Sequence, residues 1–495
     1  MKHRRKLLKM KENVERVFYH KPYYVETSLA AFASRSHLCL LGYRGGGKTH
    51  LAEAIVYQMD SARVTADVQG YLSADFSDTI ARFDIPSLLR GEEKVLWYRI
   101  VKARVKFFDE IQRLGVGARN ALFRMMTKGT VKLGDQEEGI KDDYFWVIVT
   151  ANPTETKQDI INIPLSEPLW DRFYAVLWVP MPRLTDLLRI EEELEKIKKA
   201  YRSKPIFNEE DILALWREVE QIEVPSEINY IASLMVRILQ FCKDCQDYDG
   251  SSVDEAVKRA LCSRCNKNYI CSEIARPPSV RAKLAWLRLA KGFAYLRGST
   301  RVEVIDLEKA FPPVFWKRIK FMDEMLIANR LKKLQELFSR LKQEIAEAKE
   351  AIELCSALKR NFNPQDYRRL EEYVNAKIWL IEVKEDLDNY LMHKYRGLKE
   401  EFEKAVAEKN WKKVLEITQL VKEQLPEQYH GDFYVDLEVE IDLTAKNIAR
   451  LARISKDLFK RAREMKESGE KRMKLRGEEA LIVLVKGGVL GEVRV

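Results

Sequence analysis

The sequence predicts an α/β core, a parallel sheet with helices on both faces, followed by α-helical domains. Up to about residue 183, short apolar strands alternate with helical patterns, which is typical of a parallel sheet. Beyond that point apolar residues recur at helical spacing, as at Leu334, Phe338 and Leu341. These two observations favour a single sheet at the start of the chain and helices after it.

Four apolar segments predict the strands of the sheet, at residues 37–41, 105–108, 144–150 and 176–179. Helices are predicted between these strands, where they would cover both faces of the sheet. Further helices are predicted at residues 185–200, 209–221, 227–241 and 281–298. From about residue 321 to 475 helical patterns dominate, with breaks at Asn363-Pro364 and Leu425-Pro426.

Composition excludes several classes of protein. The chain has 495 residues, of which 46% are hydrophobic, so it can build cores and is not wholly disordered. No stretch approaches the roughly 18 uncharged apolar residues of a membrane span, and the basic start lacks the apolar region of a signal peptide. We therefore expect a cytoplasmic protein that does not insert into membranes. The net charge of +10 permits nucleic-acid contact without requiring it.

A phosphate-binding loop is predicted immediately after the first strand. The segment GYRGGGKT fits the pattern G-x-x-x-x-G-K-[ST], in which glycines let backbone N–H groups converge on phosphate oxygens. Lys48 is expected to reach the β- and γ-phosphates, and the Thr49 hydroxyl to bind Mg²⁺. The predicted ATP-binding residues are Gly42, Tyr43, Arg44, Gly45, Gly46, Gly47, Lys48, Thr49 and His50.

Polar residues end the next two predicted strands. Asp109 is placed to hold Mg²⁺ through water, and Glu110 to orient and deprotonate the attacking water. Asn152 can contact the γ-phosphate or that water. Taken alone, these residues would favour a solvated acidic pair and an ordinary Asn-Pro turn, but the phosphate loop upstream favours the catalytic interpretation of the acids.

Together the motifs resemble the MoxR branch of the AAA+ ATPases over about residues 1 to 320. The matching segments are GYRGGGKT, FFDEI, VTANP, PLSEPLWDRF, VPSEINYIASLMVRIL and SVRAKLAWLRLAKGFAYLRG. The resemblance implies that Asn152 is the first sensor and that Arg172 is an arginine finger acting on a neighbour's nucleotide. It implies that Arg281 is a nucleotide-contacting second sensor carried on an α-helical lid.

The same resemblance implies an ATP hydrolase that forms a homo-oligomeric ring, usually a hexamer, and remodels or activates a protein client. It also implies a partner with a von Willebrand factor A domain. The phosphate loop departs from the common family form, which has Pro and Val or Ala among its glycines. We predict a nucleotide-binding core at 1–183, a lid at 184–320, a helical hairpin or coiled-coil bundle at 321–476 and a β-hairpin tail at 477–495.

A cysteine cluster interrupts the predicted lid at about residues 242–271. Cys242, Cys245, Cys262 and Cys265 form two C-x-x-C pairs at the spacing of a zinc ribbon, and four thiolates suit a closed tetrahedral Zn²⁺ site. Cys271 is a possible substitute ligand. An iron–sulfur cluster, disulfides and free thiols are the alternatives. The zinc module would brace the lid or dock a partner.

Two other functions use the same motifs. A nucleic-acid motor or packaging ATPase would use the core, the zinc module and the basic tail. A nucleotide-switched scaffold with very slow hydrolysis is disfavoured by Glu110 and Arg172. Residues 130–145 predict a β-hairpin whose tip, residues 135–138, is acidic, and by the resemblance it faces the ring channel. Carboxylates there would repel a phosphate backbone, which makes nucleic acid the less favoured partner, although the tip could equally be a solvated turn.

Overall fold

The structure is a computed structural model. It describes residues 2–18, 22–60, 64–71, 74–153, 165–184, 186, 205–240, 270–322, 327–376, 380–433, 437–440, 456–468, 472–475 and 493–494. The chain divides into two compact units, Met1–Ile345 and Ala346–Val495. No helix in these described ranges is both long and apolar enough to cross a membrane.

The first unit is built on a five-stranded parallel sheet. The strands of the whole unit, in chain order, are β1 (Leu38–Leu41), β2 (Thr65–Gln69), β3 (Ala81–Phe83), β4 (Val95–Trp97), β5 (Val105–Asp109), β6 (Thr130–Leu133), β7 (Gln136–Gly139), β8 (Trp146–Ala151), β9 (Ala175–Trp178), β10 (Ile274–Arg276) and β11 (Lys320–Phe321). The parallel sheet has the order β2-β5-β8-β1-β9. The β3–β4, β6–β7 and β10–β11 pairs are antiparallel.

The four predicted strands are confirmed as β1, β5, β8 and β9, and the strand β2 was missed. Every residue of β8 is buried, as a central strand covered on both faces should be. In contrast β2 lies at the sheet edge and reads TADVQ, with only its first two residues buried. An edge strand needs fewer apolar residues, so no apolar run indicated it.

Helices surround this sheet. They are α1 (Arg4–Glu15), α2 (Pro22–Ala33), α3 (Lys48–Val56), α4 (Phe76–Thr79), α5 (Ile85–Leu89), α6 (Arg99–Lys102), α7 (Val116–Lys128), α8 (Glu167–Trp170), α9 (Glu209–Glu220), α10 (Ser226–Gln240), α11 (Val280–Arg297), α12 (Val304–Phe315) and α13 (Ile327–Glu347). The predicted helices at 209–221, 227–241 and 281–298 are confirmed as α9, α10 and α11. The one predicted at 185–200 lies almost wholly outside the described residues.

A buried lysine closes the C-terminal end of α6. The side chain of Lys106, in the middle of β5, is fully buried and donates to the carbonyls of Ile100, Val101 and Ala103 at 2.6, 2.8 and 2.7 Å. Carbonyls at a helix end lack partners within the helix, and the ammonium group satisfies them here. Burial lowers the pKa of Lys106 to about 7.

The hairpin predicted at residues 130–145 is confirmed as β6 and β7, but its tip is not the acidic one expected. The turn is formed by Gly134 and Asp135, and residues 136–138 belong to β7. Glu137 accepts hydrogen bonds from Thr130 and Arg124, and Glu138 pairs with Lys102. The two glutamates are therefore engaged with neighbouring side chains of the same chain.

The second unit is mostly helical, as expected, but it also contains strands. Its elements are α14 (Lys349–Arg360), α15 (Pro364–Ala376), α16 (Ile381–Ala407), α17 (Trp411–Gln424), β12 (Leu437–Glu440), α18 (Lys456–Ser468), β13 (Arg472–Leu475) and β14 (Val493–Arg494). The predicted breaks are confirmed, since α15 begins at Pro364 and α17 ends before Leu425.

The helical region predicted at residues 321–476 also contains two strands that were not predicted. The strands β12 and β13 pair antiparallel with each other, and β14 pairs with the other edge of β12. Strand pairing of this kind joins segments far apart in the chain, so the local helical pattern did not reveal it. Most of the predicted hairpin at 477–495 lies outside the described residues.

Candidate active site

The phosphate-binding loop joins the carboxyl end of β1 to the first turn of α3. Gly47 has φ +83°, a left-handed conformation that favours glycine, and it directly precedes the helix. Lys48 is buried, and its Nζ donates to the carbonyl of Tyr43 at 2.7 Å. Burial lowers the pKa of Lys48 from its ordinary value. The ammonium group therefore lies folded across the loop, while Tyr43 and Arg44 are exposed.

Two oxygen ligands meet beside this loop. The Thr49 hydroxyl donates to Asp109 Oδ1 at 2.8 Å, although the residues are 60 positions apart in the chain. A hydroxyl and a carboxylate are the hard oxygen donors that Mg²⁺ prefers. The residues that the sequence predicts as magnesium ligands are thus brought together, and their chemistry fits the ion.

Glu110 adopts an unusual backbone conformation. Its φ of 50° and ψ of 53° lie in the left-handed region, which non-glycine residues rarely adopt. Its carboxylate Oε2 lies 2.7 Å from the guanidinium NH1 of Arg113, three residues further on. Strained residues of this kind concentrate at functional sites.

Two residues that sequence analysis missed surround these acids. The Thr150 hydroxyl donates to Asp109 Oδ1 at 2.5 Å and accepts the backbone N–H of Glu110 at 2.8 Å. Gly70, just after β2, donates its N–H to the Asp109 carbonyl at 2.8 Å. A Cβ at Gly70 would lie 2.4 Å from the Glu110 carbonyl oxygen, so only glycine fits there. No local pattern marks either residue.

Asn152 carries a buried amide without a partner. Asn152 is 8% exposed, and neither its Oδ1 nor its Nδ2 has a hydrogen-bond partner among the residues that the structure describes. Its backbone N–H donates to Gln112 Oε1 at 3.2 Å, which holds the residue at the end of β8. Buried polar groups are normally paired, so this amide is available to a phosphate or a water molecule.

The two predicted arginines lie around Asp171. Arg281 NH1 is 3.1 Å from Asp171 Oδ2, and the buried Arg318 places its Nε 3.3 Å from Oδ1. The adjacent residue, Arg172, holds its guanidinium carbon 5.0 Å from the ring centroid of Phe123. Arg281 and Arg318 thus meet at Asp171, which joins α11 to the turn after α8, whereas Arg172 contacts Phe123.

The remaining predicted site residues are His50 and the cysteines. His50 Nε2 lies 3.1 Å from the carbonyl of Val17, so it contacts the segment after α1. Among the described residues, no group of three or more His, Cys, Asp or Glu could hold a metal ion. The four predicted zinc cysteines, Cys242, Cys245, Cys262 and Cys265, lie outside the described residues. Cys39 and Cys355 are described and are buried free thiols.

An aromatic cavity of about 450 Å³ adjoins the phosphate loop. The ring of Tyr43 meets Trp178 edge-on at 5.3 Å, and Trp178 stacks with Trp316 at 6.2 Å. Met181 and Pro312 contribute to the apolar lining. Walls of this kind can stack against a flat conjugated group.

The site combines a phosphate loop, paired acids at the end of a neighbouring strand and a five-stranded parallel sheet. This combination defines a P-loop nucleoside triphosphatase. Residues 37–173 match the AAA domain of the dynein-related subfamily, and residues 274–335 match the AAA lid domain. These two segments are therefore similar to the core and lid of AAA+ ATPases, which supports an enzyme that hydrolyses ATP with Mg²⁺.

Two known proteins are similar to this chain over part of its length. The uncharacterized protein YeaC of Bacillus subtilis (strain 168) is 25% identical over 234 residues, which cover 46% of this chain and 69% of YeaC. A crystal structure of a provisionally assigned ATPase from Cytophaga hutchinsonii ATCC 33406 is 19% identical, with a TM-score of 0.53. It covers 68% of this chain and 94% of its own, and at this identity the likeness concerns the fold.

Proposed function

We propose that this chain is a MoxR-like AAA+ ATPase that forms a homo-oligomeric ring, a hexamer, and remodels a protein client with a von Willebrand factor A partner. The proposed ATP hydrolysis is supported by one observation, a hydrogen-bonded set of residues beside the phosphate loop. The set consists of Thr49, Asp109, Thr150 and Glu110. The sequence motifs around Arg172 and in the lid support the MoxR branch.

Each residue of the site has a distinct role in this proposal. Lys48 exchanges the Tyr43 carbonyl for phosphate oxygens and stabilises their negative charge. Thr49 and Asp109 would hold Mg²⁺, which would supply positive charge to offset that of the phosphates. Glu110 takes the proton of the attacking water, and the unpaired amide of Asn152 orients that water against the γ-phosphate.

Arg172 would act on a neighbour's nucleotide, and Arg281 would contact nucleotide as a second sensor on the lid. The side chain of Arg281 is 60% exposed, and its carboxylate partner Asp171 is adjacent to Arg172 in the chain. An exposed ion pair contributes little stability in water, so Arg281 can leave Asp171 for a phosphate. Arginines that reach the nucleotide across an interface make hydrolysis depend on ring assembly.

A substrate-trapping experiment tests the remodelling function. Glu110→Gln rings loaded with ATP should retain client proteins and the von Willebrand partner longer than wild-type rings do. Lys48→Ala, which is expected to lose ATP binding, is the matched control. If both variants recover the same proteins, the captured material is not an ATP-dependent client.

A nucleic-acid motor is the alternative function. The pairing of Glu137 and Glu138 with neighbouring side chains removes part of the charge argument against it. ATPase activity should nevertheless be unchanged by single- or double-stranded DNA at low salt. Strong, salt-sensitive stimulation would favour the motor.

We also propose that Cys242, Cys245, Cys262 and Cys265 hold one structural Zn²⁺, on the basis of their spacing. Elemental analysis of the purified chain should show one zinc per chain. Cys262→Ser should loosen the lid while leaving the sheet folded, because closed zinc sites contribute to folding free energy. Iron, or no metal, would overturn this assignment.

A further inference from the structure

A single buried hydroxyl joins the two acids of the active site. Thr150 is fully buried in β8, whereas Asp109 ends the neighbouring strand β5 and Glu110 directly follows it. We propose that Thr150 is a positioning residue that orients both acids for ATP hydrolysis. This inference rests on the roles proposed above for Asp109 and Glu110.

The hydrogen-bond directions give Thr150 two separate tasks. A hydroxyl carries one proton and two lone pairs, so it can donate and accept at once. Here the proton goes to Asp109 Oδ1, and a lone pair receives the N–H of Glu110. A valine of nearly the same shape would leave both groups without this partner.

The contact with Asp109 concerns the metal ligands. Asp109 Oδ1 accepts from the Thr49 hydroxyl at 2.8 Å and from the Thr150 hydroxyl at 2.5 Å. Two donors from different elements restrict rotation of the carboxylate. Outer hydrogen bonds of this kind orient metal ligands and commonly change metal affinity. Thr150 should therefore influence the concentration of Mg²⁺ that the enzyme needs.

The contact with Glu110 concerns the general base. Its left-handed backbone is rarely populated by a glutamate and must be held by its surroundings. The hydrogen bond from Glu110 N–H to Thr150 provides one restraint, and the space left by Gly70 beside the Glu110 carbonyl provides another. Because the backbone angles of Glu110 set the direction of its Cα–Cβ bond, Thr150 helps to orient the Glu110 carboxylate.

The decisive comparison is Thr150→Val against Thr150→Ser, with Glu110→Gln measured in parallel. We expect Thr150→Val to lower kcat about 10- to 100-fold, part of what general-base catalysis contributes. Thr150→Ser keeps the hydroxyl and should stay within about threefold of wild type, less than 1 kcal/mol in the barrier. Thr150→Val should also raise the Mg²⁺ concentration for half-maximal activity.

Binding and folding measurements separate positioning from a structural effect. The affinity for a fluorescent ATP analogue without Mg²⁺ should be the same in Thr150→Val and wild type, because the phosphate loop is untouched. Thermal unfolding establishes that each variant is folded. Should Thr150→Val fail to fold, Thr150→Cys takes its place, since its thiol is a weak donor of similar size.

Three results would decide against the inference. Thr150→Val with wild-type kcat and Mg²⁺ dependence, while Glu110→Gln is inactive, would overturn the role of Thr150 alone. Equal losses in Thr150→Ser and Thr150→Val would overturn the role of the hydroxyl. Wild-type turnover in Glu110→Gln would instead remove the proposed mechanism on which the inference rests.

Discussion

Arg281 donates to Asp171 at 3.1 Å, and Asp171 directly precedes Arg172 in the chain. This contact joins the first turn of α11 to the turn after α8, 110 positions away. It connects a lid arginine to the turn that carries Arg172. The same carboxylate also pairs with the buried Arg318, so one acid holds two arginines.

Asp171→Asn should destabilise the fold. Arg318 is buried with a side chain only 5% exposed, and it would keep its positive charge without a carboxylate. We expect a loss of about 2 kcal/mol in the free energy of unfolding, below the range for fully buried pairs because Asp171 is partly exposed. Glu167→Gln is the control, since its pair with Arg276 is largely exposed. Equal effects in the two variants would contradict this prediction.

Glu110→Gln should bind ATP and hydrolyse it at least ~100-fold more slowly, because an amide cannot accept the proton of water. Single-turnover kinetics with labelled ATP measure this directly. The exposed Glu92→Gln serves as the control and should keep wild-type turnover. Near-normal hydrolysis by Glu110→Gln would remove this residue from the mechanism.

Arg172→Ala and Lys48→Ala rings should each be inactive, but mixed rings should recover activity. In a mixed ring, a Lys48→Ala subunit supplies Arg172, and a neighbouring Arg172→Ala subunit supplies an intact phosphate loop. Activity then returns when an arginine from one subunit acts on the nucleotide of the next. Steady-state ATPase assays over a series of mixing ratios measure the recovery. An Arg172→Ala/Lys48→Ala double variant mixed with Lys48→Ala should show none. Absence of recovery at every ratio would contradict action across the interface.

Gly70→Ala should reduce ATPase activity through the backbone of the acids. Its Cβ would lie 2.4 Å from the Glu110 carbonyl oxygen and 2.9 Å from that of Asp109, so β5 must shift at its end. Overpacking of this kind typically costs about 1–3 kcal/mol of stability. In the control, Gly397→Ala in α16, the new Cβ meets nothing within 4 Å, and activity should be unchanged. An active Gly70→Ala enzyme would show that the strand end adapts.

Lys106→Met should weaken the first unit by about 2–3 kcal/mol, because three helix-end carbonyls lose their donor. The pKa of Lys106 is about 7 in the fold, below that of an unfolded lysine. Between these values the unfolded chain binds more protons, so the wild type gains stability as pH rises from about 7 to 10. Unfolding measured across that range should show a widening difference, and a constant difference would contradict it.

Local patterns predicted the parts of the site that lie within one segment. The phosphate loop from Gly42 to Thr49 and the acids Asp109 and Glu110 were predicted from residue type and spacing, and they lie where expected. Thr150 was not predicted as a site residue, because threonine is common in strands and its residue type does not distinguish it. The acidic hairpin was interpreted wrongly because the ion pairs of Glu137 and Glu138 join separate elements.

Periodicity and short motifs were enough to predict the α/β class, the phosphate loop and four strands of the parallel sheet, because each of these depends on a few neighbouring residues. The contact of Thr150 with both acids, the space that Gly70 leaves for Glu110 and the pairing of Asp171 with Arg281 and Arg318 arise only when the chain folds. Such contacts depend on strand register and on how helices pack against the sheet. Residues 40 to 147 positions apart meet through that packing, and no local pattern records it.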